Sequence, residues 1–125
     1  MEITYYLIIA LKIIVSVSII NVWLLQANKN TKWRGGNATT IFEEFEAYGL
    51  SRTTCYVVGF LKVGAAITLL ASIQYTHLAV TASSILAILL LGSIAMHVKI
   101  KDPLYKSFPA LLFLLMNLAI IYLSL

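Results

Sequence analysis

Four long apolar runs decide what this chain can fold into. They cover approximately Thr4–Gln26, Thr54–Tyr75, Leu78–Val98 and Phe108–Leu125. At about 1.5 Å of rise per helical residue, each is long enough to cross roughly 30 Å of hydrocarbon. A backbone in lipid must pair its own N–H and C=O groups, so each run is expected to be a helix. With 125 residues there is room for one such domain, covering 1–125, and no separate soluble module. Only 11% of the residues are charged, whereas an ordinary soluble domain carries roughly 25%. The expected fold is therefore an all-α membrane protein, an antiparallel four-transmembrane-helix bundle. The opening Met1-Glu2-Ile3 reads as the start of the first span. A signal peptide would show a basic front end and small residues after a short apolar core.

The basic residues set the orientation. Lys29, Lys32, Arg34 and Arg52 lie in the first connection, and Lys99, Lys101 and Lys106 in the third. The positive-inside rule places connections 27–53 and 99–107 in the cytoplasm and both termini outside. A net charge of +4 confined to two short segments suits anionic lipid headgroups; nucleic acid would need a broad solvated basic face. The second connection, Gln74 to His77, is short enough to force a tight hairpin. Gly64, Thr68 and Ser72 on one helix and Ala79, Ser83 and Ala87 on the other form small-residue stripes suited to close packing.

The first connection carries more information. After Gly35-Gly36, residues Thr39 to Leu50 read as a short amphipathic helix ended by Gly49, which suits a left-handed cap. Ile41, Phe42 and Phe45 form its apolar side, and Glu43, Glu44 and Glu46 its polar one. Three acids and no base make it a poor headgroup binder, so it is expected to pack against the bundle.

Lys12 and Lys62 each sit inside an apolar run that holds no acid. A charge inside the membrane is costly and marks a functional site by default. Lys62 lies about 12 Å inside the span by residue count, with Asn117 at a similar depth, Asn21 nearer the cytoplasmic face and His97 at that face. These residues, with Glu43 and Glu46 entering from the same side, form a candidate polar pocket in the cytoplasmic half. Lys62 is expected to pair with Glu43 or Glu46; snorkelling to the headgroups or loss of the proton are the other ways to accommodate it. Lys12 approaches from the outer side and is expected to snorkel.

Other chemistries lack a signature. His77 and His97 stand about 30 Å apart at opposite ends of span three, so one chain cannot place both on one metal ion or haem. Ser83, Ser84 and Ser93 have no placed base. Cys55 is the single cysteine, which excludes an internal disulfide and dithiol chemistry within the chain.

Several segments resemble the DoxX-like family of small four-helix membrane proteins: Thr31-Lys32-Trp33-Arg34-Gly35-Gly36, Phe42 to Leu50, Tyr56 to Val63, and His97-Val98-Lys99-Ile100-Lys101-Asp102-Pro103. Their order and spacing carry the resemblance from the end of span one to the start of span four. It implies a four-helix bundle acting as an accessory subunit, some relatives being linked to quinone-coupled thiosulfate oxidation, to membrane oxidoreductase complexes or to receptor-assembly chaperoning. Relatives that handle disulfides use paired cysteines, so with Cys55 alone that role does not carry over. The expectation is a non-enzymatic accessory protein of a bacterial inner membrane, with a quinone, lipid or other anionic amphiphile in its pocket. Its partners would be the bilayer and another membrane protein or further copies of itself. The alternative is a small oligomeric transporter.

Single cysteines at Glu2, Asn30, Thr76 and Lys101, in a Cys55→Ser background, test the topology. Glu2 and Thr76 should label from one side and Asn30 and Lys101 from the other; labelling of Glu2 and Lys101 from the same side would overturn it.

Overall fold

A computed structural model describes residues 2–125. Helix α1 spans Glu2–Ile20 and continues through a π-helical turn, Asn21–Leu25. Helix α2 covers Ile41–Ala47, and α3 covers Arg52–Ala71. Helix α4, Ala79–Lys99, is entered through a 3-10 turn at Thr76–Leu78; α5, Phe108–Ser124, is entered through another at Leu104–Ser107. With these turns included, four helices are long and apolar enough to cross a membrane: Glu2–Leu25, Arg52–Ala71, Thr76–Lys99 and Leu104–Ser124. α3 begins earlier than its apolar run because Ser51 caps it, the hydroxyl accepting from the Thr54 amide at 3.1 Å. Ser107 makes no such cap on α5, where the 3-10 turn leads directly into a first turn that contains Pro109.

The four long helices pack in a ring, α1 against α3, α3 against α4, α4 against α5 and α5 back against α1. Neighbours in the ring are antiparallel, so the basic connections gather at one end. In the middle of the bundle Val15, Ala66, Leu69, Ala82, Leu86 and Ile120 are buried. Lipid tails are as apolar as these side chains, so close packing rather than water exclusion holds the spans together. The small-residue stripe expected on α4 does face inward: Ala79, Ser83 and Ala87 are buried. On α3 the inward face is Lys62, Ala65, Ala66 and Leu69, continued by Ser72. Gly64 lies off that face, and a Cβ added there would meet nothing within 4 Å.

Helix α2 closes the basic end. Ile41, Phe45 and Tyr48 recur along one face and pack with Cys55 of α3, with Trp23, Met96 and Ile100 around them. Thr40 caps its start by accepting from the Glu43 amide at 3.2 Å. Its end is a Schellman turn: the Leu50 amide donates to the Phe45 carbonyl and the Gly49 amide to the Glu46 carbonyl, both at 2.9 Å, with Gly49 at φ +82°. The same turn ends α4, where the Asp102 amide donates to the His97 carbonyl and the Lys101 amide to the Val98 carbonyl, both at 3.0 Å. Here the left-handed position, φ 59°, is held by Lys101. A non-glycine residue in that region costs about 1–2 kcal/mol. The turn it makes folds Asp102 back onto the last turn of α4.

Phe45 is buried between α2 and the bundle and stacks edge-on against Trp23 with ring centroids 5.9 Å apart. Phe45→Asp would place an unpaired charge there and should destabilise the detergent-solubilised protein by roughly 2–5 kcal/mol. An unchanged melting temperature would mean that α2 does not pack against the bundle.

Candidate functional site

At the basic end a cavity of about 730 Å3 opens among α1, α4 and α5, with α2 and the first connection closing it and Lys62 of α3 reaching its wall. The π-helical turn of α1 shapes one side. The Gln26 amide donates to the Asn21 carbonyl five residues back, at 2.9 Å, which widens the helix and presents Asn21, Val22 and Trp23 to the cavity. Trp23 packs closely against Gly59 of α3, where any Cβ would stand 2.7 Å from its ring. Four exposed apolar side chains on the cavity wall, Val22, Ile88, Phe108 and Leu112, lie at lipid depth, so the cavity opens sideways toward the bilayer.

A continuous polar network roofs the cavity. Arg34 is buried, and its Nη2 donates to the carbonyls of Gln26 at 2.6 Å, Lys29 at 3.3 Å and Ala27 at 3.4 Å, which holds together the loop that follows the first span. Its Nη1 reaches Glu44 at 3.5 Å. The second Glu44 oxygen accepts from the Gly35 amide at 2.7 Å and from the Tyr48 hydroxyl at 3.0 Å. The same phenol oxygen lies 3.3 Å from His97 Nε2. On its other side the imidazole Nδ1 lies 2.7 Å from an Asp102 oxygen. Asp102 also accepts from the Gly36 amide at 3.0 Å and faces Lys106, whose Nζ donates to the Gly36 carbonyl at 2.7 Å. Lys99 closes the arrangement by donating to the Tyr48 carbonyl at 2.9 Å. The long-range links, Gly36 to Asp102 and Lys106, and Tyr48 to His97 and Lys99, fasten the first connection to the end of α4 and the start of α5.

Lys62 stands apart from this network. Its Nζ donates to Ser93 Oγ at 3.1 Å and lies 5.6 Å from the centre of the Trp23 ring. No carboxylate among the described residues is within ion-pair distance of it. Glu43 and Glu46, expected as its partners, stand on the solvent side of α2 and do not line the cavity. Hydrogen bonds from the Thr39 hydroxyl and amide occupy Glu43 and hold its carboxyl below the usual carboxylate range. The acid that reaches the cavity is Glu44, because it shares the face that carries Ile41 and Tyr48.

The remaining candidates divide. Asn21 and His97 line the cavity with Lys62. Asn117 does not: it is fully buried in the bundle, its Nδ2 donating to the Phe113 carbonyl at 2.8 Å while its Oδ1 has no partner. Lys12 does not snorkel. It is 3% exposed, and its Nζ donates to the Ser72 carbonyl at 3.0 Å, at the end of α3. Helical side chains lean toward the helix N-terminus, so Lys12 reaches up to the partly negative C-terminal end of its neighbour. Arg34, Glu44, Tyr48, Ser93, Asp102 and Lys106 are site residues beyond those expected. Their only mark in the sequence is that most fall within the segments that carry the family resemblance.

Burial pushes the Tyr48 phenol far above its ordinary value, and the Glu44 and Asp102 carboxylates push it further, against a smaller opposing effect from Arg34. An unfolded tyrosine ionises near pH 10, so the folded protein holds this proton more tightly than the unfolded chain. The resulting stabilisation is complete below about pH 10 and is lost as pH rises past it, at up to about 1.4 kcal/mol per pH unit. Tyr48→Phe removes that slope. Its stability relative to wild type should rise steadily above pH 10 in alkaline unfolding series; parallel curves would show a phenol that titrates normally.

The family model of the DoxX-like family matches residues 33–119. No curated protein and no solved structure shows significant similarity to the chain. The match takes in α2 to α4, nearly all of the polar network and the part of α5 that carries Asn117. The four apolar helices, their ring packing and this match together make the chain an integral membrane protein of the DoxX-like family.

Proposed function

We propose that this protein is a non-enzymatic accessory subunit that holds a lipid, a quinone or another anionic amphiphile in the cavity at its basic end. The observation that carries this reading is the cavity itself. It joins exposed apolar side chains at lipid depth to a lysine without a carboxylate partner, the two environments an amphiphile requires. Its volume falls within the usual range of small-molecule sites, roughly 300–1,000 Å3. The basic connections face the cytoplasm of a bacterial cell in this reading, which puts the cavity in the inner half of the inner membrane. A membrane redox complex, another membrane protein or a second copy of the chain would receive what the cavity holds. Transport by an oligomer is the second reading. It draws on three buried polar atoms without partners, Ser16 Oγ, Ser83 Oγ and Asn117 Oδ1, which continue a polar character into the bundle.

Native mass spectrometry of protein released from mild detergent tests occupancy. One amphiphile per chain should remain bound. Gly92 lines the cavity, and a Cβ there meets nothing within 4 Å, so Gly92→Trp should fill the space without disturbing the helices and should remove most of the adduct. An adduct that survives Gly92→Trp undiminished would place the bound molecule elsewhere.

A further inference from the structure

We infer that the cavity takes a single-chain amphiphile bearing one compact anionic group, a carboxylate, and that Lys62 and Ser93 are its seat. This rests on the amphiphile-binding reading and narrows it to a chemical class.

The first support is an account of the charges around the cavity. Arg34 is committed to three carbonyls and Glu44. Lys106 is committed to the Gly36 carbonyl and Asp102, and His97 to Asp102 and Tyr48. Glu44 is occupied by Gly35, Tyr48 and Arg34. Lys62 is different: it is 8% exposed, and its one hydrogen-bond partner is neutral. Ser93 directs its own proton to the Leu89 carbonyl at 3.3 Å, which leaves its oxygen free to accept from Lys62. An ammonium has three N–H donors, so two remain without an acceptor among the described residues. A buried cation in that state is costly unless an opposite charge joins it. A carboxylate supplies two acceptor oxygens and one negative charge, which matches both deficits.

The second support is depth. Lys62 lies about 12 Å along the helix from the cytoplasmic end of its apolar run, well below the headgroups of a bilayer with roughly 30 Å of hydrocarbon. A phospholipid head is held at the interface, where exposed Lys29, Lys32, Arg52 and Lys101 can meet it. A group that reaches Lys62 must be compact and carried on a slender chain. The exposed apolar rim of Val22, Ile88 and Leu112 lets such a molecule enter sideways from lipid, its charge neutralised on arrival.

The chain's two tryptophans, Trp23 and Trp33, both line the cavity, so its tryptophan fluorescence reports on occupancy. Dibromostearic acid and its methyl ester, two bromine quenchers that differ only in the charge of the head, are titrated into the full chain in nanodiscs. The acid should quench saturably, compete with unlabelled stearic acid and bind at least about tenfold more tightly than the ester, as expected for charge-assisted hydrogen bonds. Lys62→Gln should bring the two within about twofold of each other, and Lys62→Arg should keep the preference. Equal affinity of acid and ester in the wild type overturns the inference while leaving amphiphile binding intact; this comparison needs no variant to fold. Acid preference that persists in folded Lys62→Gln overturns the role of Lys62. Absence of saturable quenching by either compound overturns both the inference and the reading on which it rests.

Discussion

The guanidinium of Arg34 is the point on which the basic end of the molecule depends. A helix that ends near the membrane surface leaves its last carbonyls unpaired, and α1 ends with a widened turn and then a loop. Arg34 gathers the carbonyls of Gln26, Ala27 and Lys29, just beyond that turn, on one nitrogen and gives another nitrogen to Glu44. Through Glu44 it fixes Tyr48, and through Tyr48 it meets His97 and Asp102 on the opposite side of the bundle. Remove the cation and Glu44 becomes a partly buried anion, while the loop that follows the first span loses what holds it together. The first connection would then be held over the cavity only by its ties to Asp102, Lys106, His97 and Lys99 and by the apolar face of α2.

The two intramembrane lysines solve the same problem in different ways. Lys12 finds a backbone carbonyl at a helix C-terminus, where the partial negative charge of the aligned peptides favours a cation. That is a structural settlement, complete within the chain. Lys62 finds a hydroxyl and the face of an indole, which orient it and leave it without an ion-pair partner among the described residues. The contrast separates a lysine that builds the bundle from one that awaits a ligand.

The spans were legible because lipid leaves the backbone only one solution, and the end of α2 was legible because Gly49 marks a left-handed turn. The acidic helix is legible in the sequence, but its inward acid is not. With Phe42 on the apolar side the pattern singles out no one acid as inward, whereas the face built from Ile41, Phe45 and Tyr48 carries Glu44. The partner of Lys12 is a carbonyl, which carries no residue signature at all. Asp102 meets His97 through a left-handed turn made by a lysine, so the usual glycine signal is missing. Asn117 was placed by depth alone, and depth does not say which way a side chain faces.

The widened turn at Asn21–Leu25 ends the first span and sets its last residues out of phase with α1 above them. Above it, the helix points Lys12, Val15 and Ser16 into the bundle; within it, Trp23 rests on Gly59 and looks into the cavity. Losing one residue from the turn would restore an even winding and swing the upper length by about 100° relative to the lower. Lys12 would then face away from the end of α3 while Trp23 stayed in place. The two ends of the same span are thus free to change independently: the cavity can be remodelled by side-chain substitutions within the turn without altering the phase that keeps the lysine at the far end sheltered from lipid.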